Sequence, residues 1–321
     1  MTQSGLAFVA SHLQVEGDLP IEVLPGHLFR AASEAEVVEI RRYLQAAIPP
    51  DTFTWAQWAQ YEGIIKEERQ GSITKFHIEA LPREKWKYWV LAFEGSNTTI
   101  HELEQVAQIL PVSFDVGFVL LYSEQSQGGT IMGREMMPFH VIERYSNPKR
   151  VNANAEVVAS DQIASLGNSY RALKGLSNEY EFIGRAFRNL SDLRRIPESS
   201  DLIIVGLFSI LESLITHAPR LSESLDSINH QITNKIILLH KKYTRPIVLS
   251  EYFTHANEDK IWKKIYGFRS AVAHGTAVSF DKDYQMLKSR DAVIAFVRDN
   301  VKELLRVALA DPAFMFDLRK C

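Results

Sequence analysis

Ile265-Tyr266-Gly267-Phe268-Arg269-Ser270-Ala271-Val272-Ala273-His274-Gly275 is the stretch from which the rest of the chain can be read. Ile261, Ile265, Phe268 and Val272 recur at the spacing of one apolar helical face, which predicts the last turns of a helix beginning near Glu258. Trp262, Tyr266 and Arg269 form a neighbouring row at the same spacing. Gly275 stands where a helix C-cap glycine belongs. An arginine and a histidine therefore occupy the final turns of an otherwise apolar helix, where a fold needs neither. The step from Arg269 to His274 is about 140° on a straight helix, so the two do not share one face. Joint chemistry requires the helix end to unwind or a second copy of the chain to contribute.

The flanking segments read as helices that pack around this one. Leu166, Tyr170, Leu173, Leu176, Tyr180, Ile183, Phe187 and Leu190 alternate in threes and fours as one long amphipathic stripe, punctuated by Pro197. In Ser200–Thr216, Ile203, Leu207, Ile210, Leu211 and Leu214 make one stripe while Leu202, Val205 and Ile215 cover much of the remainder. A helix apolar nearly all round is central in a bundle or shared with a subunit interface. Glu212 lies within it, and a carboxylate in apolar surroundings needs a cationic or hydrogen-bonding partner unless it reaches solvent at the helix edge. Arg269 is the expected partner. A third helix carries Leu221, Leu225, Ile228, Ile232, Ile236 and Leu239, with Pro246 after it. The last long helix has Val293, Val297, Val301, Leu304 and Ala308 inside and Arg298, Asp299, Lys302, Glu303 and Arg306 expected outside. Residues 151–321 thus read as an all-α bundle of about five helices.

Residues 1–150 read differently. Leu6–Ser11, Ile73–Ala80, Tyr88–Phe93, Val116–Tyr122 and Phe139–Arg144 are short, β-branched or aromatic runs expected as strands. Ser33–Ala47 and Thr99–Leu110 are expected helices, each opening on a capping-box pattern, Ser33 with Glu36 and Thr99 with Glu102. Ser123–Met137, with Gly128, Gly129 and Gly133, is expected to be loop, and Tyr145–Arg150 with Asn152 and Asn154 marks a domain break. The fold class is an α+β N-terminal domain followed by a helical bundle. His77 and Glu79 alternate to one side of a strand, but no third metal ligand stands near them, so a polar strand face is the expectation. Trp55, Trp58, Trp86 and Trp89 are expected in the core rather than as a base-stacking platform. The phosphate-loop, dinucleotide and nucleophile-elbow glycine patterns are absent from the sequence.

Composition agrees with a globular protein: 46% of the 321 residues are hydrophobic, 23% charged and 10% aromatic. One cysteine, Cys321, leaves no internal disulfide framework or cysteine zinc cluster and fits a reducing compartment. The N-terminus lacks a basic segment ahead of Leu6–Ala10, and the apolar run Leu202–Ile215 is too short to span a bilayer, so a cytoplasmic protein is expected. The net charge of −3 is uneven: residues 1–150 hold 13 basic and 19 acidic side chains, residues 151–321 hold 23 and 20. Positive charge is dense at Lys235, His240, Lys241, Lys242 and Arg245, and again at Lys260, Lys263 and Lys264, either to attract a polyanion or as solvated helix faces.

The order of a long helix, an apolar helix with Leu211-Glu212-Ser213-Leu214, a variable middle and then Tyr266 through Gly275 resembles the HEPN superfamily, more narrowly its Apea-like branch. The resemblance covers residues 155–310 and rests on Arg269, Ser270 and His274 followed by Gly275. It implies a metal-independent endoribonuclease without cofactor, acting as a homodimer whose two Arg/His pairs share a cleft. His274 would exchange protons with the RNA, Arg269 would stabilise charge on the phosphorane, and Ser270 would position the phosphate or the histidine. Glu212 and Tyr266 would support them, and Lys241, Lys242, Arg245, Lys263 and Lys264 would bind RNA. It further implies phage defence or a toxin–antitoxin pair, with an antitoxin or regulatory partner and residues 1–150 as a sensor or regulatory region. Other members of the superfamily are non-catalytic dimerisation, nucleic-acid-binding or scaffold modules, and the motif also permits a structural role in which Arg269 pairs with Glu212 and His274 caps the helix.

Overall fold

The computed structural model describes residues 3–11, 13–47, 61–70, 73–112, 116–125, 157–218, 227–254 and 257–321. The chain divides into two units, Met1–Tyr170 and Arg171–Cys321.

The first unit contains β1 (Gln3–Val9), β2 (Gln14–Glu16), β3 (Ile21–Leu24), β4 (His27–Ala31), α1 (Glu34–Ala47), β5 (Gly63–Gln70), β6 (Ile73–Ala80), β7 (Trp89–Glu94), α2 (Asn97–Ala107), β8 (Phe118–Gln125), β9 (Val157–Ala159) and α3 (Ser160–Lys174), the last running into the second unit. Five strands form an antiparallel sheet in the order β3-β4-β7-β1-β8, β5 and β6 form a separate hairpin, and β2 pairs with β9 in parallel. In β1, Leu6 and Phe8 join a core cluster with Ile40 and Leu44 of α1, Val90 of β7 and Val119 of β8. Ala7 and Val9, which alternate to the opposite side, are equally buried, and this is why the strand reads as an unbroken apolar run.

The four expected strands that fall on described residues form, with ends shifted by a few residues, and Ile73–Ala80 matches β6. The short strands β2, β3, β4 and β9, and β5 with its charged Lys66-Glu67-Glu68-Arg69 segment, carry too little pattern to be expected. The Ser33 capping box is present: the Ser33 amide donates to Glu36 Oε2 at 2.7 Å and the Glu36 amide to Ser33 Oγ at 3.4 Å. The second one is corrected. Ser96 caps α2 by accepting from the Thr98 amide at 3.1 Å, which leaves Thr99 inside the first turn, and Glu102 accepts from the Tyr170 hydroxyl instead. Trp89 is buried against Phe29, as a core residue, while Trp86 is partly buried at the core's edge, edge-on to Tyr88 and with the Arg41 and Arg83 guanidinium groups over its ring. Trp55, Trp58, the expected strand Phe139–Arg144 and the break at Tyr145–Arg150 lie outside the described residues.

The second unit is helical: α4 (Glu181–Leu193), α5 (Leu202–Ile215), α6 (Ile228–Leu239), α7 (Leu249–Tyr252), α8 (Glu258–Ala273), α9 (Arg290–Ala310) and α10 (Pro312–Lys320). The single long stripe expected over 166–190 is two helices. α3 ends at Lys174, Gly175 and an extended Ser177 break the backbone, and a 3₁₀ turn at Asn178–Tyr180 leads into α4. α5 is central and touches α4, α6, α8, α9 and α10. Ile203, Ile204, Leu207, Phe208, Ile210, Leu211, Leu214 and Ile215 are buried on it, whereas Leu202 at its first position is exposed. Leu221 and Leu225 lie outside the described residues.

The polar face of α9 needs correction. Lys302 and Glu303 are buried, as is Asn300. The segment after α6 lies over this face and supplies partners, the Thr244 and Arg245 amides donating to Glu303 Oε2, while Arg306 of α9 itself pairs with Glu303. His240 sits between acceptors, with Nδ1 3.1 Å from Glu258 Oε1 and Nε2 3.1 Å from Asn300 Oδ1, whose amide nitrogen is committed to the Phe296 carbonyl. Both ring nitrogens therefore face oxygen, an arrangement that suits the imidazolium. Burial pulls the His240 pKa down, but the Glu258 and Asn300 bonds outweigh it and raise the value above 6.5. A raised histidine contributes stability that is fully present below the unfolded value and is lost as pH rises through the folded one. Between about pH 6 and about pH 8.5 the melting midpoint of the wild type should fall more steeply than that of His240→Gln, measured by calorimetry across this range; parallel curves would show that the imidazolium does not tie α6 to α8 and α9.

Candidate functional site

The site is built on α8. Asn257 caps its start, its side chain accepting from the Lys260 amide at 3.0 Å. Ile261, Trp262, Ile265 and Phe268 are buried along one side, and Trp262 packs edge-on to Phe208 of α5 and at 5.1 Å against Phe296 of α9. Val272, expected in the same stripe, is only half-buried because the helix end emerges from the bundle.

The end is a Schellman closure. The Gly275 amide donates to the Val272 carbonyl at 3.1 Å and the Thr276 amide to the Ala271 carbonyl at 2.8 Å. Gly275 adopts φ +67°, the left-handed region this closure demands. His274 is the capping residue, its amide bonded to the Ser270 carbonyl at 3.0 Å, and its side chain is exposed.

Arg269 faces the interior. Its Nη2 donates to Glu212 Oε1 at 3.2 Å, the two side chains being 24% and 23% exposed. Its guanidinium lies 5.9 Å from the centre of the Tyr266 ring, which packs edge-on to Phe208. Arg269 Nε is buried without a hydrogen-bond partner among the described residues. The structure therefore joins Arg269, Glu212 and Tyr266 and places His274 apart from them. Burial raises the Glu212 pKa above the ordinary carboxylate value, and the nearby Arg269 charge only partly reverses this. The half-buried pair leaves the Arg269 Nε capacity unused, which a purely structural ion pair would be expected to fill.

The expected RNA-binding cations separate into two groups. Lys235 is buried with Nζ on the Ile215 carbonyl at 2.8 Å, and His240 belongs to the network described above. Arg245 is half-buried, Lys242 lies 4.3 Å over the Phe314 ring, and Lys241 is exposed. In the cluster written in sequence at 235–245, Lys235 is thus interior and His240 and Arg245 half-buried, while Lys241 and Lys242 stay on the surface. The second group stays on the surface. Lys260, Lys263, Lys264 and Gly267 line an open cleft of about 460 Å³ whose far wall includes Asp283 and Tyr284. Its signal was the spacing i, i+3, i+4, i+7, whereas Tyr284 had no sequence cue.

His77 and Glu79 take other partners, His77 bonding Glu68 at 2.8 Å and Glu79 pairing with Lys66. Among the described residues no group of three or more His, Cys, Asp or Glu could hold a metal ion, and no helix is long and apolar enough to cross a membrane. Compared with known proteins, the chain matches no family model, and no curated protein or solved structure matches it significantly.

A carboxylate with a raised pKa destabilises the fold when ionised, because its folded form holds the proton more tightly than the unfolded one. Glu212→Gln should consequently melt at or above the wild-type midpoint near neutral pH, with the difference shrinking as pH falls toward about 4.5 and constant below it. A midpoint several degrees below wild type at neutral pH would mean that the Arg269 bond outweighs the burial of Glu212.

Proposed function

We propose that the chain is an Apea-like HEPN endoribonuclease that acts as a homodimer, without metal or cofactor. The observation that carries this reading is the arrangement at the end of α8: Arg269 half-buried and incompletely bonded beside Glu212, and exposed His274 on a glycine-closed cap five residues on. The bundle has no structural need for an arginine with an orphaned Nε or for a solvent-facing histidine.

RNA carries its own nucleophile. One imidazole takes the 2′-hydroxyl proton as the 2′-oxygen bonds phosphorus; the bond to the 5′-oxygen breaks and that oxygen leaves with a proton from a second imidazole. The products are a 2′,3′-cyclic phosphate and a 5′-hydroxyl. Arg269 offsets charge on the phosphorane oxygens, and Ser270 orients His274 or the phosphate. Within one protomer the two groups serve different surroundings, so the dimer supplies the second histidine and brings an arginine to each. The protein is cytoplasmic in this reading, with residues 1–150 as a regulatory region, and serves phage defence or a toxin–antitoxin pair with an antitoxin or other regulator as partner.

The Glu212 contact favours a second reading, in which Arg269 is a structural cation and the bundle is a non-catalytic binding or scaffold module. Cleavage of mixed cellular RNA in EDTA separates the two. Wild type should leave cyclic phosphate ends, and His274→Ala and Arg269→Ala, verified as folded and of wild-type oligomeric state, should each lose roughly 100-fold or more of the rate. Cutting that survives both substitutions, or no cutting by wild type or by residues 151–321, would overturn the ribonuclease reading. Light scattering at micromolar concentration should give twice the chain mass of 36.5 kDa; the single-chain mass would remove the composite site.

A further inference from the structure

The cleft on the outer side of α8 continues the face that carries His274. Lys260, Lys263, Lys264 and Gly267 are followed at the same helical spacing by Ser270, Ala271 and His274. From Gly267 to His274 the helix rises about 10 Å. Arg269 points to the opposite side, so the outer face presents lysines at one end and the imidazole at the other. We propose that this cleft binds one nucleotide of a single-stranded RNA next to the scissile step, an assignment that rests on the ribonuclease reading for its orientation toward His274.

Three features point to such an occupant. The first is charge. All three lysines are exposed. Lys263 is neutralised by Asp259 at 2.8 Å, and Asp283 lines the wall, so the cleft is not a generic basic surface. The Lys260 ammonium has no ion pair or hydrogen bond among the described residues, and Lys264 holds only the Asp283 carbonyl at 3.2 Å. These two are the groups available to a phosphate. The second is the ring of Tyr284, set edge-on to Phe268, tilted against Phe280 and covered by the Lys264 ammonium at 5.9 Å from its centre. A phosphate that draws Lys264 off the ring exposes a stacking surface for a base. The third is Gly267. A helix interior favours alanine over glycine by about 1 kcal/mol, and a Cβ here would meet only Tyr284, at an ordinary 3.8 Å. The fold would accept the methyl group; the bare backbone instead keeps the floor of the cleft open.

The size and chemistry select the ligand. A cleft of about 460 Å³ lies within the 300–1,000 Å³ range of small-molecule sites and suits one nucleotide rather than a duplex. Stacking on Tyr284 also requires an unpaired base, which double-stranded RNA does not offer.

The test uses the full chain and a fluorescein-labelled 2′-O-methyl oligouridylate, which cannot be cleaved by 2′-hydroxyl attack, with binding read by anisotropy at several salt concentrations. Wild type should bind, more weakly as salt rises. The Lys260→Ala/Lys264→Ala double variant should lose about tenfold or more in affinity and show a shallower salt slope, by roughly 0.7 for each phosphate contact removed. Gly267→Leu, which adds a helix-favouring side chain to the floor, should bind equally poorly while melting no lower than wild type. The proposal is overturned by wild-type affinity in the double variant or in Gly267→Leu, by absence of binding in the wild type, or by equal binding of a duplex of the same length. Lysine-dependent binding in a chain that cuts no RNA would retire the ribonuclease reading and leave the nucleotide site standing.

Discussion

The bond between Glu212 and Arg269 sets the surroundings of the arginine. α5 touches five other helices, and its remaining stripe, with Leu202 and Ser209 exposed and Val205 and Glu212 half-buried, reaches the surface. A half-buried carboxylate on that edge is partly desolvated, and its cationic partner is on α8. The bond holds the arginine inward, against Tyr266 and Phe208, while the Schellman closure a turn later delivers His274 outward. Two groups five residues apart thereby enter different environments without any distortion of the helix.

α8 does two jobs that require opposite surfaces. Its inner side, with Ile261, Trp262, Ile265 and Phe268 buried, is a core surface, and each such side chain contributes about 1.5–3 kcal/mol through burial. Its outer side is a line of lysines, a glycine and the capping histidine, which contributes little to stability. The strong inner packing makes the outer face a rigid platform. The anchors at its start reinforce this: the Asn257 cap, and Glu258 shared between His240 and the Trp262 indole. Chemistry placed on a helix held in this way needs no mobile loop to position it.

Partial exposure limits what the Glu212–Arg269 pair can do for stability. Burial raises the Glu212 pKa more than the Arg269 charge lowers it, so the ionised carboxylate is disfavoured relative to its protonated form in the fold. A bundle selected only for packing would place apolar side chains at both positions, as it does at Leu211, Leu214, Ile265 and Phe268. Retained cost at a half-buried charge is a common property of binding and catalytic positions, and this is the physical basis for looking for function here rather than among the tryptophans of the first unit.

Periodicity made the helices of residues 181–310 legible, because a buried stripe requires apolar residues every three to four positions whatever lies opposite. The central place of α5, the closure at Gly275 and the partner of Glu212 followed from the same local arithmetic. What the stripe could not register was a break that keeps its phase, which is why α3 and α4 read as one helix across Gly175. Local pattern also failed for the outer-looking charges of α9, since Glu303 and Asn300 become interior only when the distant segment at 240–245 folds over them. In the apparent basic cluster at Lys235–Arg245, Lys235 is buried and His240 tied into this network while Lys241 and Lys242 stay exposed, and Lys260, Lys263 and Lys264 remain outside and gain Tyr284 as a facing wall. Amino-acid order by itself determined which segments are helical and which of their faces are apolar, and marked the glycine closure at Gly275. The tertiary structure alone decided which charges meet water and which rings meet them, because exposure is set by segments far apart in the chain that sequence spacing does not relate.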